Sequence, residues 1–237
     1  MMRVTSVIPK PNLVAAYFIK RDLPPDHPDV RAGVRFRGLN QWPDDLPGFR
    51  ETALEYQGVM EALARGLLPL YARAAELPPD FFHEPFREAD VTLRLSHYPP
   101  MPADAQQFGL APHTDSSFLT MLPDNAVPGL EIRPAGSDWM AAPSLPGAYL
   151  VNSGDTLKRW TNDRFLSTEH RVRPSVERDR YAAPFFFSPR HDYVMECLPT
   201  CHGPGRPPRF QPFTYGQYIA WFADQNYHGR AASPAPP

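Results

Sequence analysis

Thirty-one prolines spread through 237 residues constrain this chain more than any other feature. The ordinary proline share is about 5%. Proline fixes φ and lacks a backbone donor, so it suits turns, sheet edges and helix starts rather than long helices or central ladders. Here the prolines sit among aromatic clusters and read as punctuation between short strands. Only the tail after residue 230 looks low in complexity. With 42% hydrophobic residues, including 15 Phe, 10 Tyr and 4 Trp, the chain can build a sizeable core, and its length suits one large domain.

Strand-like runs separated by Gly, Pro and Asp turns fall at 91–98, 129–133, 138–142, 148–152, 170–173, 180–187 and 193–197. Repeated short strands of this kind indicate an all-β sandwich or barrel. Two helices flank them. Tyr56, Met60, Leu63, Leu67, Leu70 and Ala74 recur at helical spacing, which predicts a scaffold helix over 49–76. Pro69 is expected to bend or split it. Residues 214–226 place Tyr218, Ile219, Trp221 and Phe222 on a broad apolar side. The expected organisation is an irregular arm over 1–48, with Trp42 as a packing anchor, a β domain over 49–228, and a disordered tail over 229–237.

A net charge of −2 gives no reason to expect nucleic acid as a partner. The amino terminus lacks the continuous apolar core of a signal peptide, and no run is long enough to span a membrane. The expected location is cytoplasmic. Cys197 and Cys201 are too few for a disulfide framework, and with His202 they lack an evident fourth ligand for zinc.

The chemistry concentrates in His113-Thr114-Asp115, followed at once by an apolar, β-prone run. In a strand, residues i and i+2 share a face, so an imidazole and a carboxylate project together. That is two thirds of the 2-His-1-carboxylate facial triad that holds non-haem Fe(II). A second histidine, His170, opens a later strand, with room between for strands that return the chain to Asp115. On 91–98, Thr92, Arg94, Ser96 and Tyr98 share one face, and Leu93 and Leu95 share the other. His97 should point away from Tyr98.

The chain resembles the isopenicillin N synthase-like family of Fe(II)/2-oxoglutarate-dependent oxygenases. The resemblance is carried by His113-Thr114-Asp115, Asn152-Ser153-Gly154-Asp155, Arg159-Trp160-Thr161-Asn162, Ser167-Thr168-Glu169-His170-Arg171-Val172 and Arg180-Tyr181-Ala182, in that order. It implies a double-stranded β-helix, a jelly-roll barrel with the metal at one end. It further implies Fe(II) on His113, Asp115 and His170, with 2-oxoglutarate and O2 as co-substrates. Arg180 would grip the distal carboxylate of 2-oxoglutarate, aided by Tyr98 and Ser96. Arg94 and Phe186 become candidates for the wall of the substrate pocket, Phe186 because it shares strand parity with Arg180.

Two departures stand out. The family's Arg-x-Ser appears here as Arg180-Tyr181-Ala182, so one hydroxyl donor to the co-substrate is missing. The family also carries a further segment of strand and helices ahead of the point where this chain starts. Without it, an open sheet edge and self-association are expected. The expected activity is oxidation of a small molecule with release of succinate and CO2. Ring closure, desaturation and ethylene formation are the alternatives within the family, and a non-catalytic binder of metal and 2-oxoglutarate is the alternative outside catalysis.

Overall fold

The computed structural model describes residues 11–102 and 107–227. In chain order the elements are β1 (Ala15–Lys20), α1 (Pro28–Arg31), α2 (Phe49–Ala74), β2 (Asp90–Tyr98), β3 (Leu110–His113) and β4 (Leu119–Pro123). There follow β5 (Leu130–Arg133), β6 (Met140–Ala141), β7 (Tyr149–Ser153), α3 (Asp155–Trp160), β8 (Glu169–Val172) and β9 (Arg180–Ala182). The last are β10 (Phe185–Ser188), β11 (Val194–Met195), β12 (Phe213–Thr214) and α4 (Tyr215–Tyr227).

From β2 to β10 the chain passes back and forth between two antiparallel sheets, with β5 and β6 a hairpin within one and β9 and β10 successive on β2 in the other, which is the winding of a double-stranded β-helix. One sheet runs β1-β2-β10-β4-β7, with β9 also on β2; the other runs β3-β8-β5-β6. The expected strand over 180–187 is interrupted at Ala183-Pro184, where proline has no N–H for the ladder. The register survives the gap: Ala182 lies opposite Ser96 and Phe185 opposite Leu93. Pro184 still accepts a 3.0 Å hydrogen bond from the Arg94 N–H.

Helix α2 covers the sheet face that carries Leu93, Phe185 and Phe187. Its buried side is Ala53, Gln57, Met60, Ala64, Leu68 and Ala72, while Leu63 and Leu70 are exposed. The stripe read from large apolar residues is therefore rotated from the true one. Alanines let the helix lie close to the sheet, and buried Gln57 donates to the carbonyls of Ile19 and Lys20. The helix also continues through Pro69 without a break. Beneath it, Phe86 packs on Phe118 and Phe187 with ring centroids 4.9 and 4.8 Å apart.

The arm is less irregular than expected. Its β1 pairs with β2 over six residues and so extends the sheet. Just before it, Leu13 N–H donates to Phe108 O (3.0 Å), and Asn12 Oδ1 accepts from Ala111 N–H (2.9 Å). The segment thus laces the β3 side of the barrel to the β1 edge. Trp42 packs against Phe49, with centroids 6.1 Å apart. The tail expected to be disordered lies outside the described residues.

Candidate metal centre and active site

His113 ends β3, Asp115 lies in the turn after it, and His170 sits opposite His113 on β8. Antiparallel pairing across 57 residues of sequence therefore sets two imidazoles side by side, with ring centroids 4.2 Å apart. Asp115 Oδ1 is 4.0 Å from His113 Nε2 and 3.5 Å from His170 Nε2. One potential ligand atom from each residue lies within 4.8 Å of the others, so a single ion can touch all three. Each histidine uses Nδ1 on a backbone carbonyl, His113 on Ala111 (2.8 Å) and His170 on Thr168 (3.1 Å). Donating Nδ1–H fixes the tautomer that leaves the Nε2 lone pair for a metal.

Asp115 is 5% exposed and tightly held. Its Oδ2 accepts from Thr120 (2.7 Å) and Asn152 (3.0 Å), which leaves Oδ1 toward the histidines. Burial opposes its charge, but His170, His113 and the Thr120 hydroxyl hold the carboxyl well below the usual range. Burial, reinforced by the neighbouring charge of His170, depresses His113 to about 4. Burial also opposes charge on His170, and the Asp115 carboxylate outweighs it and raises the pKa. An ionised Asp115 beside a neutral His113 is a ligand set ready for a cation.

A further layer ties this turn to the helices. The Asp155 N–H donates to Asp115 O at 2.7 Å. Asp155 Oδ2 accepts from Thr114 (2.9 Å) and from Tyr218 on α4 (3.2 Å). Gly154 is required by close approach, since a Cβ there would stand 2.1 Å from Ser117 O. None of Thr120, Asn152, Asp155 or Tyr218 was assigned a role from sequence. Thr120 and Asn152 did leave a signal, each being a polar residue inside an apolar strand, and they are register partners on β4 and β7.

Arg180 pairs in register with Tyr98, and its guanidinium lies 5.3 Å from that ring's centroid. The side chain is 4% exposed, and its Nε donates to Val127 O at 3.2 Å. No carboxylate pairs with it among the described residues. Burial accordingly lowers its pKa. A buried, unpaired guanidinium is costly unless an anion joins it, so this residue fits a ligand carboxylate. Gly129 (φ +149°) keeps the space beside it open, because a Cβ there would sit 3.4 Å from Arg180 Cδ and 2.6 Å from Arg173 O. Ser96, on the same face of β2, has a buried hydroxyl with no hydrogen-bond partner among the described residues.

Phe186 follows the parity of Arg180, lies opposite Thr92 and Thr120, and stays half-buried, whereas Phe185 and Phe187 enter the core. His97 points the other way, 2.6 Å from Asp179 and stacked on Tyr181. Among the described residues, Cys197, Cys201 and His202 form no metal-ligating group.

A jelly roll whose strands bring two histidines and one carboxylate together at one end defines the class of 2-His-1-carboxylate metalloproteins. Residues 89–189 match the model of the 2OG-Fe(II) oxygenase superfamily, and most of the chain is similar to proteins named for that chemistry. It is 37% identical over 229 residues to the 2-oxoglutarate-Fe(II) type oxidoreductase hxnY of Emericella nidulans, a match covering 93% of this chain and 65% of that protein. This chain therefore spans slightly less than two thirds of that relative's length. Among solved structures, a Caulobacter crescentus protein ascribed to the 2OG-Fe(II) oxygenase family aligns with a TM-score of 0.80 at 29% identity, over 90% of this chain and 70% of that one. A full-length Neurospora crassa protein solved in complex with alpha-KG aligns at 0.78 and 25% identity, over 93% and 67%.

Proposed function

We propose that this chain is an Fe(II)- and 2-oxoglutarate-dependent dioxygenase that oxidises a small molecule. The observation that carries the reading is the pairing of two features on one barrel: the convergent His113, Asp115 and His170, and the buried, unpaired Arg180. His113, Asp115 and His170 would hold the metal on one face and leave the other open. Bound Fe(II), with O2 and 2-oxoglutarate, supplies oxidative decarboxylation to succinate and CO2 and oxidation of a substrate C–H.

The chain's own contribution is orientation and exclusion. Thr120 and Asn152 fix the plane of the Asp115 carboxylate, and the Ala111 and Thr168 carbonyls fix the two imidazoles. Arg180 receives the distal carboxylate of 2-oxoglutarate through its planar two-pronged donor edge. Tyr98 supports that guanidinium through its ring face, and Ser96 supplies a hydroxyl. Phe186 forms part of the apolar wall beside the metal and screens the site from water. A cytoplasmic location belongs to the same proposal; no helix among the described residues is long and apolar enough to cross a membrane.

The test is succinate formation from 2-oxoglutarate with Fe(II) and ascorbate, in air and under argon. The expected result is O2-dependent succinate that disappears in Asp115→Ala. Succinate formation at an undiminished rate in Asp115→Ala would remove the assignment.

A further inference from the structure

A second arginine faces the same interior as Arg180, half-buried where Arg180 is buried, and among the described residues it too has no carboxylate partner. Arg94 stands on β2 between Thr92 and Ser96 in strand parity, on the face that also bears Tyr98. Its guanidinium carbon lies 5.4 Å from the centroid of Phe18, its register partner on β1. Its Nε is shielded from solvent yet has no hydrogen-bond acceptor among the described residues. Among the described residues its side chain has neither an ion pair nor a hydrogen bond.

An arginine that merely decorates a strand extends into water or finds a carboxylate. This one is half-buried, with its Nε shielded and its guanidinium against an aromatic ring. We propose that Arg94 is the anchor for a carboxylate on the substrate, so that the molecule oxidised is an organic acid. The inference rests on the oxygenase reading and adds the chemical class of substrate.

A single guanidinium balances a single negative charge, which fits a carboxylate; a phosphate monoester would bring nearly two. Its two free donor edges suit two carboxylate oxygens in one plane. The stem of Arg94 starts opposite Pro184, between Ala182 and Phe186 along the neighbouring strand line. An acid held there would lay its apolar portion toward Phe186, on the interior side of the sheet. Arg180 is then left to the co-substrate, and the two anions are sorted by two separate arginines on adjacent strands.

Direct binding tests this. Benzoate, phenylacetate, 3-phenylpropanoate and octanoate, each alongside its primary amide, would be titrated into the full chain by calorimetry with Mn(II) and saturating 2-oxoglutarate present. At least one acid is expected to bind about tenfold or more tightly than its amide. Arg94→Gln should erase that preference, since truncating a charge-paired donor costs well over tenfold. Arg94→Lys, which keeps the charge without the fork, should recover part of it. Parallel thermal melts establish that both variants are folded.

Three results would overturn the proposal: no acid preferred over its amide, an acid preference that persists in folded Arg94→Gln, or acids that 2-oxoglutarate displaces and Arg180→Gln abolishes. The last would mean that they occupy only the co-substrate position. Failure of the oxygenase reading looks different, because 2-oxoglutarate itself would then neither bind nor yield succinate.

Discussion

Replacing Arg180 with Gln should move stability and ligand binding in opposite directions. In the free protein Arg180 is 4% exposed, and its compensation is one hydrogen bond to Val127 O and the Tyr98 ring. Removing an unpaired buried charge relieves desolvation, so the melting temperature without ligand should hold or rise. With 2-oxoglutarate the sign reverses. Losing a buried charge-assisted pair costs at least ~2 kcal/mol, or roughly 30-fold in Kd. At a ligand concentration one hundred times the wild-type Kd, binding stabilises the wild type by ~2.7 kcal/mol and the variant by only ~0.9 kcal/mol. At this chain length ~1 kcal/mol corresponds to ~2 °C, so the ligand-induced shifts should be about 5 °C and about 2 °C. Differential scanning calorimetry with Mn(II), with and without 2-oxoglutarate, reads all four values. Equal ligand-induced shifts in the two proteins, or a variant that melts several degrees lower without ligand, would refute the assignment of Arg180 as a preformed anion site.

His113→Ala and His170→Ala should each abolish O2-dependent succinate formation, since two protein ligands hold the ion poorly; a succinate assay checks this. Thr120→Val and Asn152→Ala should weaken metal affinity by roughly 10- to 100-fold while leaving the triad in place, as read by Fe(II) titration under argon. Ala182→Ser adds a hydroxyl opposite Ser96 and should tighten 2-oxoglutarate by about 1 kcal/mol, measurable as a lower apparent Kd. Gly154→Ala should destabilise the fold and disturb the metal site together, because its Cβ would meet the Ser117 carbonyl at 2.1 Å; thermal melts and metal titration should fall in step.

Features that depend on residues near one another in the chain were legible before any fold was known. Alternation along β2 separates the Arg94, Ser96 and Tyr98 face from the Leu93 face. His113 and Asp115 do meet, but Asp115 lies past the end of β3, so the turn rather than strand parity brings them together. Order and spacing of motifs pointed onward to His170 and Arg180 and to the jelly roll. The structure confirms the barrel and brings the three metal-binding candidates into one cluster.

The rest required the folded chain. The helix over 49–74 turns a different side inward than its largest residues suggest, because close packing on a sheet favours alanines over leucines. The arm supplies a strand whose pattern is too short to read before β2 exists to pair with it. Thr120 and Asn152 become supports of Asp115 only when β4 and β7 meet. That Arg94 and Arg180 lack carboxylate partners among the described residues is likewise invisible in a sequence with 26 acidic residues. Periodicity records which face a side chain takes, since that is set by the local backbone. It does not record what stands opposite, because hydrogen bonds and ion pairs act over a few ångströms between residues that only folding brings within reach.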